Sequence, residues 1–110
     1  MNLKEFSELS NLKCLNPTVI DEREISGVFV GDLLSWVMGN AKEGQIWITV
    51  QGHLNVVAVA VLKEMPAIIL SQSASFDEES LAKANEEKIA VFSSELASYE
   101  CAKICANLNL

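Results

Sequence analysis

Apolar and polar positions along the chain alternate in blocks that predict short strands separated by helices. Apolar runs rich in β-branched residues are typical of buried strands, and such runs occupy residues 25–30, 46–50, 67–70 and 89–92. Strands that alternate with helices of about ten residues are typical of βαβ units. The pattern therefore predicts a single α/β domain over residues 1–110. We expect a mainly parallel sheet of about four to five strands with flanking helices.

Start signals place the helices between and after these strands. Leu3, Phe6 and Leu9 recur at three-residue spacing and predict a short opening helix that ends around residues 10–11. Asp32 is the expected N-cap of the next helix, whose predicted buried side is formed by Leu33, Leu34, Trp36, Val37 and Met38. An acidic helix is predicted over residues 77–88. Ser93 or Ser94 would cap the last helix, which extends to about Asn107 and directs inward Leu96, Cys101, Ile104, Cys105 and Leu108.

Residues 55–64 allow two interpretations, because a short and almost wholly apolar run has no diagnostic period. As a strand, the run would pair back on residues 46–50 as a hairpin. As a helix, it would begin at Asn55 and end before Pro66, and both residue types suit those positions. The end signals favour the helix.

The apolar content is high for a chain of this length. Half of the residues, 50%, are hydrophobic, and the mean hydropathy is +0.25. A domain of 110 residues has a limited interior, so part of this apolar surface is expected to face a partner. Closed two-fold dimers are the commonest assembly, and we therefore expect a homodimer. Trp36 and Trp47 are expected in the core or at that dimer interface.

The charge excludes two classes of partner. The net charge is −7, with Lys and Arg spread thinly along the chain, whereas nucleic acids and anionic membranes attract clustered cations. No apolar run approaches the roughly 20 residues of a membrane span, and the N-terminus lacks the features of a signal peptide. We expect a cytoplasmic protein, whose odd number of cysteines stays reduced.

Catalytic and cofactor motifs are absent from the sequence. It contains no phosphate-binding P-loop and no dinucleotide-binding glycine pattern. Cys101 and Cys105 lie one helical turn apart, but a metal site needs more ligands, and only Cys14 and His53 are natural candidates. Packing is the favoured role of the cysteines. We therefore expect no catalytic residues, no metal and no cofactor.

Polar residues follow two of the predicted strands and are the candidate ligand-binding residues. Loops at the carboxyl ends of parallel strands line the ligand crevice of open α/β folds. The two loops contribute Gly52, His53, Asn55, Ser71, Gln72 and Ser73. For His53, a contact to a ligand at a helix N-terminus and an exposed loop position are equally supported.

Arg23 lies in the charged segment that precedes the first long strand. An arginine close to a crevice would bind an anionic ligand. The alternative, which is favoured, is a solvated turn in which Arg23 pairs with a neighbouring carboxylate such as Asp21.

Over nearly its whole length the chain resembles the DRTGG domain family. The residues that carry the resemblance are the segments 21–31, 48–52, 66–70 and 98–102. The family usually has Gly-Asp-Arg after the central strand, where this chain has Gly52, His53 and Leu54. It has Thr-Gly-Gly after the next strand, where this chain has Ser71, Gln72 and Ser73. The resemblance implies a helix over residues 55–64, a parallel sheet and a dimer.

These observations lead to a hypothesis of a non-catalytic regulatory or ligand-sensing module. Its ligand would be small and anionic or nucleotide-like, bound at the loops after the strands. Domains of the family that the chain resembles occur beside CBS domains and in metabolic enzymes, so the resemblance implies a metabolic enzyme or a CBS-type regulatory protein as the partner. The alternative is a protein-interaction subunit of a larger metabolic enzyme assembly that binds no small molecule. A third hypothesis, a thiol- or metal-dependent enzyme, rests on Cys101, Cys105 and His53.

Overall fold

One five-stranded sheet organises the chain in the computed structural model, which describes residues 1–110. The strands are β1 (Lys13–Cys14), β2 (Gly27–Val30), β3 (Gln45–Thr49), β4 (Ala67–Leu70) and β5 (Ala90–Ser93). The helices are α1 (Leu3–Leu9), α2 (Leu34–Asn40), α3 (Leu54–Leu62), α4 (Glu78–Glu86) and α5 (Ser98–Asn107). A single turn of 3₁₀ helix covers Pro17–Val19.

The strands lie in the order β1-β5-β4-β3-β2. Neighbours from β2 to β5 are parallel, and β1 pairs with β5 in the antiparallel sense. The predicted α/β class with a mainly parallel sheet is therefore confirmed. The two-residue strand β1 was not predicted, because a strand so short has no periodicity of its own.

Helices cover both faces of the sheet. One core contains Val37 of α2, Val56 of α3 and Ala84 of α4, packed on Trp47. The other core lies on the opposite face and contains residues of α1, α5 and the alternate strand positions, including Phe6, Ile48, Phe92, Cys101 and Cys105. The strands are thus buried on both sides, as parallel strands in α/β proteins are.

The ambiguous segment 55–64 forms a helix, as the end signals favoured. Helix α3 spans Leu54–Leu62 and buries Val56, Val57, Val59 and Ala60. Its buried residues pack between the sheet and the neighbouring helices, so almost the whole helix is apolar. The chain leaves the helix at Glu64, whose positive φ of 55° turns the backbone toward β4.

The predicted N-cap of α2 was wrong, and its predicted buried side was too wide: Leu34 and Val37 do contact the core. Asp32 does not cap this helix, since Leu33 occupies the N-cap position and no side chain caps it. Only Val37 of the helix is buried, whereas Leu33, Trp36 and Met38 are exposed. The other tryptophan, Trp47, lies in the core as expected, and its Nε1 donates a 2.8 Å hydrogen bond to the Gly31 carbonyl oxygen.

The last helix also begins later than predicted. Ala97 is its N-cap and provides no capping side chain, while the Ser94 hydroxyl accepts a hydrogen bond from the Leu96 N–H within the preceding loop. Cys101 and Cys105 are buried as expected, but Leu96 is exposed. No helix in the structure has the length and apolar character needed to cross a membrane.

Candidate functional site

The parallel strands all end at one edge of the sheet, which we call the carboxyl edge. Four loops leave this edge: residues 31–33 after β2, 50–53 after β3, 71–77 after β4 and 94–97 after β5. Because each loop leads into a helix, the N-termini of α2 to α5 lie at the same edge. Six of the seven sequence-predicted ligand-binding residues are in these loops or in the first turn of α3.

The loops after β3 and β4 touch each other at Gly52. A β-carbon built on Gly52 would overlap the backbone carbonyl of Ser75, so only glycine allows this approach. The neighbouring His53 is the N-cap of α3, and its Nε2 lies 3.2 Å from the side-chain oxygen of Gln51. The Ser80 N–H that donates to Asp77 lowers the pKa of the Asp77 carboxyl, and the nearby His53 adds to this effect.

Asp32 joins the ends of β2 and β3. Its Oδ1 accepts hydrogen bonds from the Thr49 hydroxyl and from the Val50 N–H, both at 2.9 Å. Thr49 is fully buried, and its hydroxyl oxygen also accepts a bond of 3.3 Å from the Gln51 N–H. The Asp32 carboxylate therefore holds the loop that carries Gly52. Its place directly after a strand was the signal that could have identified this role.

The loop after β4 is bonded closely to the loop after β5. The Ser71 hydroxyl lies 2.8 Å from that of Ser98. The Gln72 N–H donates to the Leu96 carbonyl at 2.7 Å, and the Ser73 N–H donates to the Ser94 carbonyl at 2.8 Å. Ser71 is fully buried, so of the three predicted residues only Gln72 and Ser73 present their side chains to solvent.

Gln72 and Ser73 have backbone conformations that favour glycine. Their φ angles are 54° and 55°, in the left-handed region where a β-carbon is unfavourable. The loop therefore has a glycine-type backbone at two positions without glycine, and such strain is often found at ligand-binding sites.

Ser73→Gly is expected to stabilise the chain by about 0.5–1 kcal/mol, because it removes left-handed strain from an exposed residue. Urea denaturation gives the free energy of unfolding. The matched control is Ser35→Gly on the exposed surface of α2, which should destabilise by a similar amount because glycine disfavours helix. If Ser73→Gly destabilised the chain instead, the left-handed backbone of Ser73 could not be a source of strain.

A groove of about 530 Å³ opens at the carboxyl edge between α3 and α4. It is lined by Leu54, Asn55, Ala58, Glu79, Ala82, Lys83 and Glu86. The backbone N–H groups of Leu54 and Asn55 have no hydrogen-bond partner, because the first N–H groups of a helix have none within it. The groove thus combines apolar walls, free N–H donors and the Asn55 side chain. Lys83, which was not predicted, also lines the groove and pairs with Glu86 and Glu87.

The charge at the carboxyl edge is negative throughout. The four loops and the first turns of the helices after them contain no Lys or Arg. They carry six carboxylates: Asp32, Asp77, Glu78, Glu79, Glu95 and Glu100. An anion at this edge would therefore be held by backbone N–H groups and neutral side chains, and by Lys83 inside the groove.

Arg23 lies at the opposite end of the sheet and does not join the other candidates. Its guanidinium donates to Asp21 Oδ1 and to the Lys88 carbonyl, both at 2.7 Å. Partial burial acts to raise the pKa of Asp21, but the bonds and charge of Arg23 outweigh it and lower that pKa. This is the solvated-turn role favoured from the sequence. The shallow cavity of about 490 Å³ beside Arg23 is lined mainly by glutamates and apolar residues.

Cys101 and Cys105 are buried in the core, and Cys14 is half-buried against it. Burial raises the pKa of the Cys105 thiol to about 11, and Cys101 beside it adds to the rise. Burial also raises the pKa values of Cys101 and Cys14. A thiol that is protonated at neutral pH is a poor nucleophile. No three side chains of His, Cys, Asp or Glu lie close enough together to hold a metal ion.

No family model matches the chain, and no curated protein matches it in sequence. Among solved structures, it is similar to the CBS and DRTGG domains of the regulatory region of Clostridium perfringens pyrophosphatase, in complex with the activator diadenosine tetraphosphate. The TM-score is 0.69 at 14% sequence identity, over 94% of this chain and 45% of that one. The chain thus spans less than half of that structure. The comparison shows that the two proteins share a related fold.

Proposed function

We propose that the chain is a non-catalytic regulatory module that senses a small ligand in the groove between α3 and α4. The proposal is carried by one observation: the groove is lined by Leu54 and Asn55, whose backbone N–H groups are free and lie at the carboxyl edge. Ligands of open α/β folds bind at that edge. The proposal includes a homodimer, a cytoplasmic location, and a metabolic enzyme or CBS-type protein as the regulated partner.

The dimensions and lining of the groove suit a small organic ligand. Its volume of about 530 Å³ falls within the range of about 300–1,000 Å³ that is usual for ligand sites. Leu54, Ala58 and Ala82 give it apolar walls, against which a planar ring can pack. Asn55 and the free N–H groups at the start of α3 lie at its mouth, where they can fix the orientation of the ligand.

The charges favour a ligand with few negative groups. Lys83 and the N-terminus of α3 attract an anion, but Glu79 and Glu86 line the same groove, and the carboxyl edge adds further carboxylates. A nucleoside monophosphate therefore fits these charges better than a triphosphate. The solved neighbour is a regulatory region complexed with a nucleotide activator, which supports the choice of nucleotides as the first ligands to test.

Thermal unfolding of the purified chain with millimolar nucleosides, nucleoside monophosphates and nucleoside triphosphates tests the proposal. A ligand that binds only the folded state raises the unfolding temperature in proportion to the logarithm of its concentration. We expect monophosphates to cause the largest rise. The absence of any rise with all of these compounds would reject the proposal.

Lys83→Gln is expected to weaken monophosphate binding about tenfold, the effect of losing one charged contact of about 1.4 kcal/mol. The matched control is Lys103→Gln, which makes the same change on α5, on the other face of the sheet. Titration calorimetry measures both affinities. Equal weakening by the two changes would show a general charge effect and remove the groove as the site.

A second candidate function is a protein-interaction subunit, which two exposed side chains favour. Leu96 and Tyr99 lie after β5, and 43% and 73% of their surfaces are exposed. A partner enzyme that binds here through an apolar surface would cover both side chains. Co-purification from native cells with the wild type and with Tyr99→Glu separates this function from ligand sensing. Recovery of the chain without any stoichiometric partner would exclude it.

A further inference from the structure

The outer edge of β2 is open. β2 is the last strand of the sheet, and Gly31 donates from its N–H to the Ile48 carbonyl of β3 at 3.2 Å. The backbone N–H and C=O groups of successive strand residues point alternately to the two sides of the strand. Those of Phe29 therefore also point toward β3, and those of Val28 and Val30 point outward. No hydrogen bond is formed by these outward groups. β2 carries no charge and no proline, which commonly protect such edges.

Exposed apolar side chains lie at this edge and on the neighbouring helix α2. Val30, Leu33 and Trp36 are 50%, 67% and 61% exposed. Leu33 and Trp36 are one helical turn apart, and the Trp36 N–H donates to the Leu33 carbonyl at 3.0 Å. Helix α2, like β2, is the outermost element of its layer. Exposed apolar side chains on the outermost strand and the outermost helix of a layer suit a protein interface.

We propose that this surface binds a second copy of the chain. The surface consists of Val28, Val30, Leu33 and Trp36, and we call it the β2 edge surface. The two β2 strands pair in the antiparallel sense across a two-fold axis, and the exposed apolar side chains of the two α2 helices cover each other. The inference specifies the dimer that is part of the proposed function, and it does not depend on any ligand.

The β2 edge is complementary to itself. When the two-fold axis passes through Phe29, Val28 of each copy lies opposite Val30 of the other. Both residues have outward N–H and C=O groups, so each such pair exchanges two hydrogen bonds. Residues 26–31 contain no ionisable group, and Asp32 comes opposite Ser26. No like charges meet along the paired strands.

The charge distribution favours a second copy over a charged partner. The chain has a net charge of −7, so two copies repel each other, and this repulsion is weakest when they meet at an uncharged surface. The β2 edge surface has no charged residue, which permits this meeting. A basic or acidic partner would find no opposite charge there to recognise. A symmetric contact between identical surfaces also closes after two copies and leaves no open end.

Antiparallel pairing places the two carboxyl edges at opposite ends of a continuous sheet. The ligand groove lies between α3 and α4, away from the β2 edge surface on α2. Each copy therefore keeps a complete groove of its own. Loss of the dimer would leave ligand binding intact, so the two proposals can fail independently.

Light scattering coupled to size exclusion tests the inference over a wide range of protein concentration. We expect the wild type to have about twice the 12.0 kDa mass of the chain. Leu33→Glu is expected to give the monomer mass. Its matched control is Leu62→Glu, which alters a leucine of equal exposure, 68%, at the end of α3. The control should stay dimeric.

Val30→Lys is the second variant, because a lysine on an edge strand blocks pairing without touching α2. Circular dichroism of each variant reports whether it is folded. A wild type that is monomeric at every concentration would overturn the inference. A dimer that survives both Leu33→Glu and Val30→Lys in folded protein would also overturn it, since another surface would then hold the two copies together.

Discussion

Replacing Gly52 with alanine is expected to destabilise the chain by about 3 kcal/mol, which is large for the addition of one methyl group. The β-carbon would overlap the Ser75 carbonyl and also press on the Phe76 ring. Backbone cannot move aside as a flexible side chain does, so the loops after β3 and β4 would have to separate. Phe76 packs against the core, and the separation would therefore also disturb buried contacts.

Urea denaturation of Gly52→Ala against wild type measures this loss. The matched control is Gly39→Ala in α2, where an added β-carbon meets no atom within 4 Å. Alanine favours helix over glycine, and the control should gain about 0.5–1 kcal/mol. A loss below about 1 kcal/mol for Gly52→Ala would show that the loops separate easily and that the close approach is not fixed.

The separation of these loops should also affect ligand binding. His53 and Asn55 follow Gly52 directly, and Asn55 lines the groove. We expect the rise in unfolding temperature with nucleoside monophosphate to be lost in folded Gly52→Ala and kept in Gly39→Ala. A full rise in both variants would place the ligand away from the start of α3.

Asn16→Ala is expected to destabilise the chain by about 2 kcal/mol, because it leaves buried backbone groups without partners. Asn16 is only 4% exposed. Its side-chain nitrogen donates to the Ile89 carbonyl, and its side-chain oxygen accepts from the Val91 N–H, both at 2.8 Å. The side chain thus continues the pairing of β1 with β5 beyond the point where the main chain turns away.

Thermal and urea unfolding of Asn16→Ala measure this effect. Asn85→Ala makes the same change at an exposed position of α4, and it should alter stability by less than about 0.5 kcal/mol. Asn16→Asp adds a further test. The carboxylate can accept from the Val91 N–H but cannot donate to the Ile89 carbonyl, so it should also destabilise at neutral pH. Equal stability of the Asn16 and Asn85 variants would show that solvent replaces both bonds.

The strands and their order along the chain were predictable because they are buried on both faces. Such strands are continuous apolar runs, and β3 and β4 stand out from the polar loops that follow them. For a related physical reason, the predicted buried side of helix α2 was too wide: Leu34 and Val37 face the core, but Leu33, Trp36 and Met38 are exposed. The helix is apolar on both its core side and its outer side. The sequence pattern therefore cannot distinguish its buried apolar residues from its exposed ones.

The candidate site was predicted in part. His53, Asn55, Gln72 and Ser73 lie at the carboxyl edge, as their positions after strands indicated. The contacts of Asp32 with Thr49 and of Ser71 with Ser98 join segments that are distant in sequence. The same is true of the groove, because α3 and α4 are neighbours only after β3 and β4 have paired.

The fold class and the edge at which the polar loops lie were predictable from the sequence, since they depend on local periodicity and on the general geometry of βαβ units. The helical character of α3 was indicated by its end signals, Asn55 and Pro66. Three properties became visible only in the folded chain: Gly52 must lack a side chain, Asn16 completes a strand, and Arg23 lies far from the groove. These properties depend on which distant backbone groups meet. These long-range contacts are determined by the packing of the whole chain, and a local sequence pattern cannot predict them.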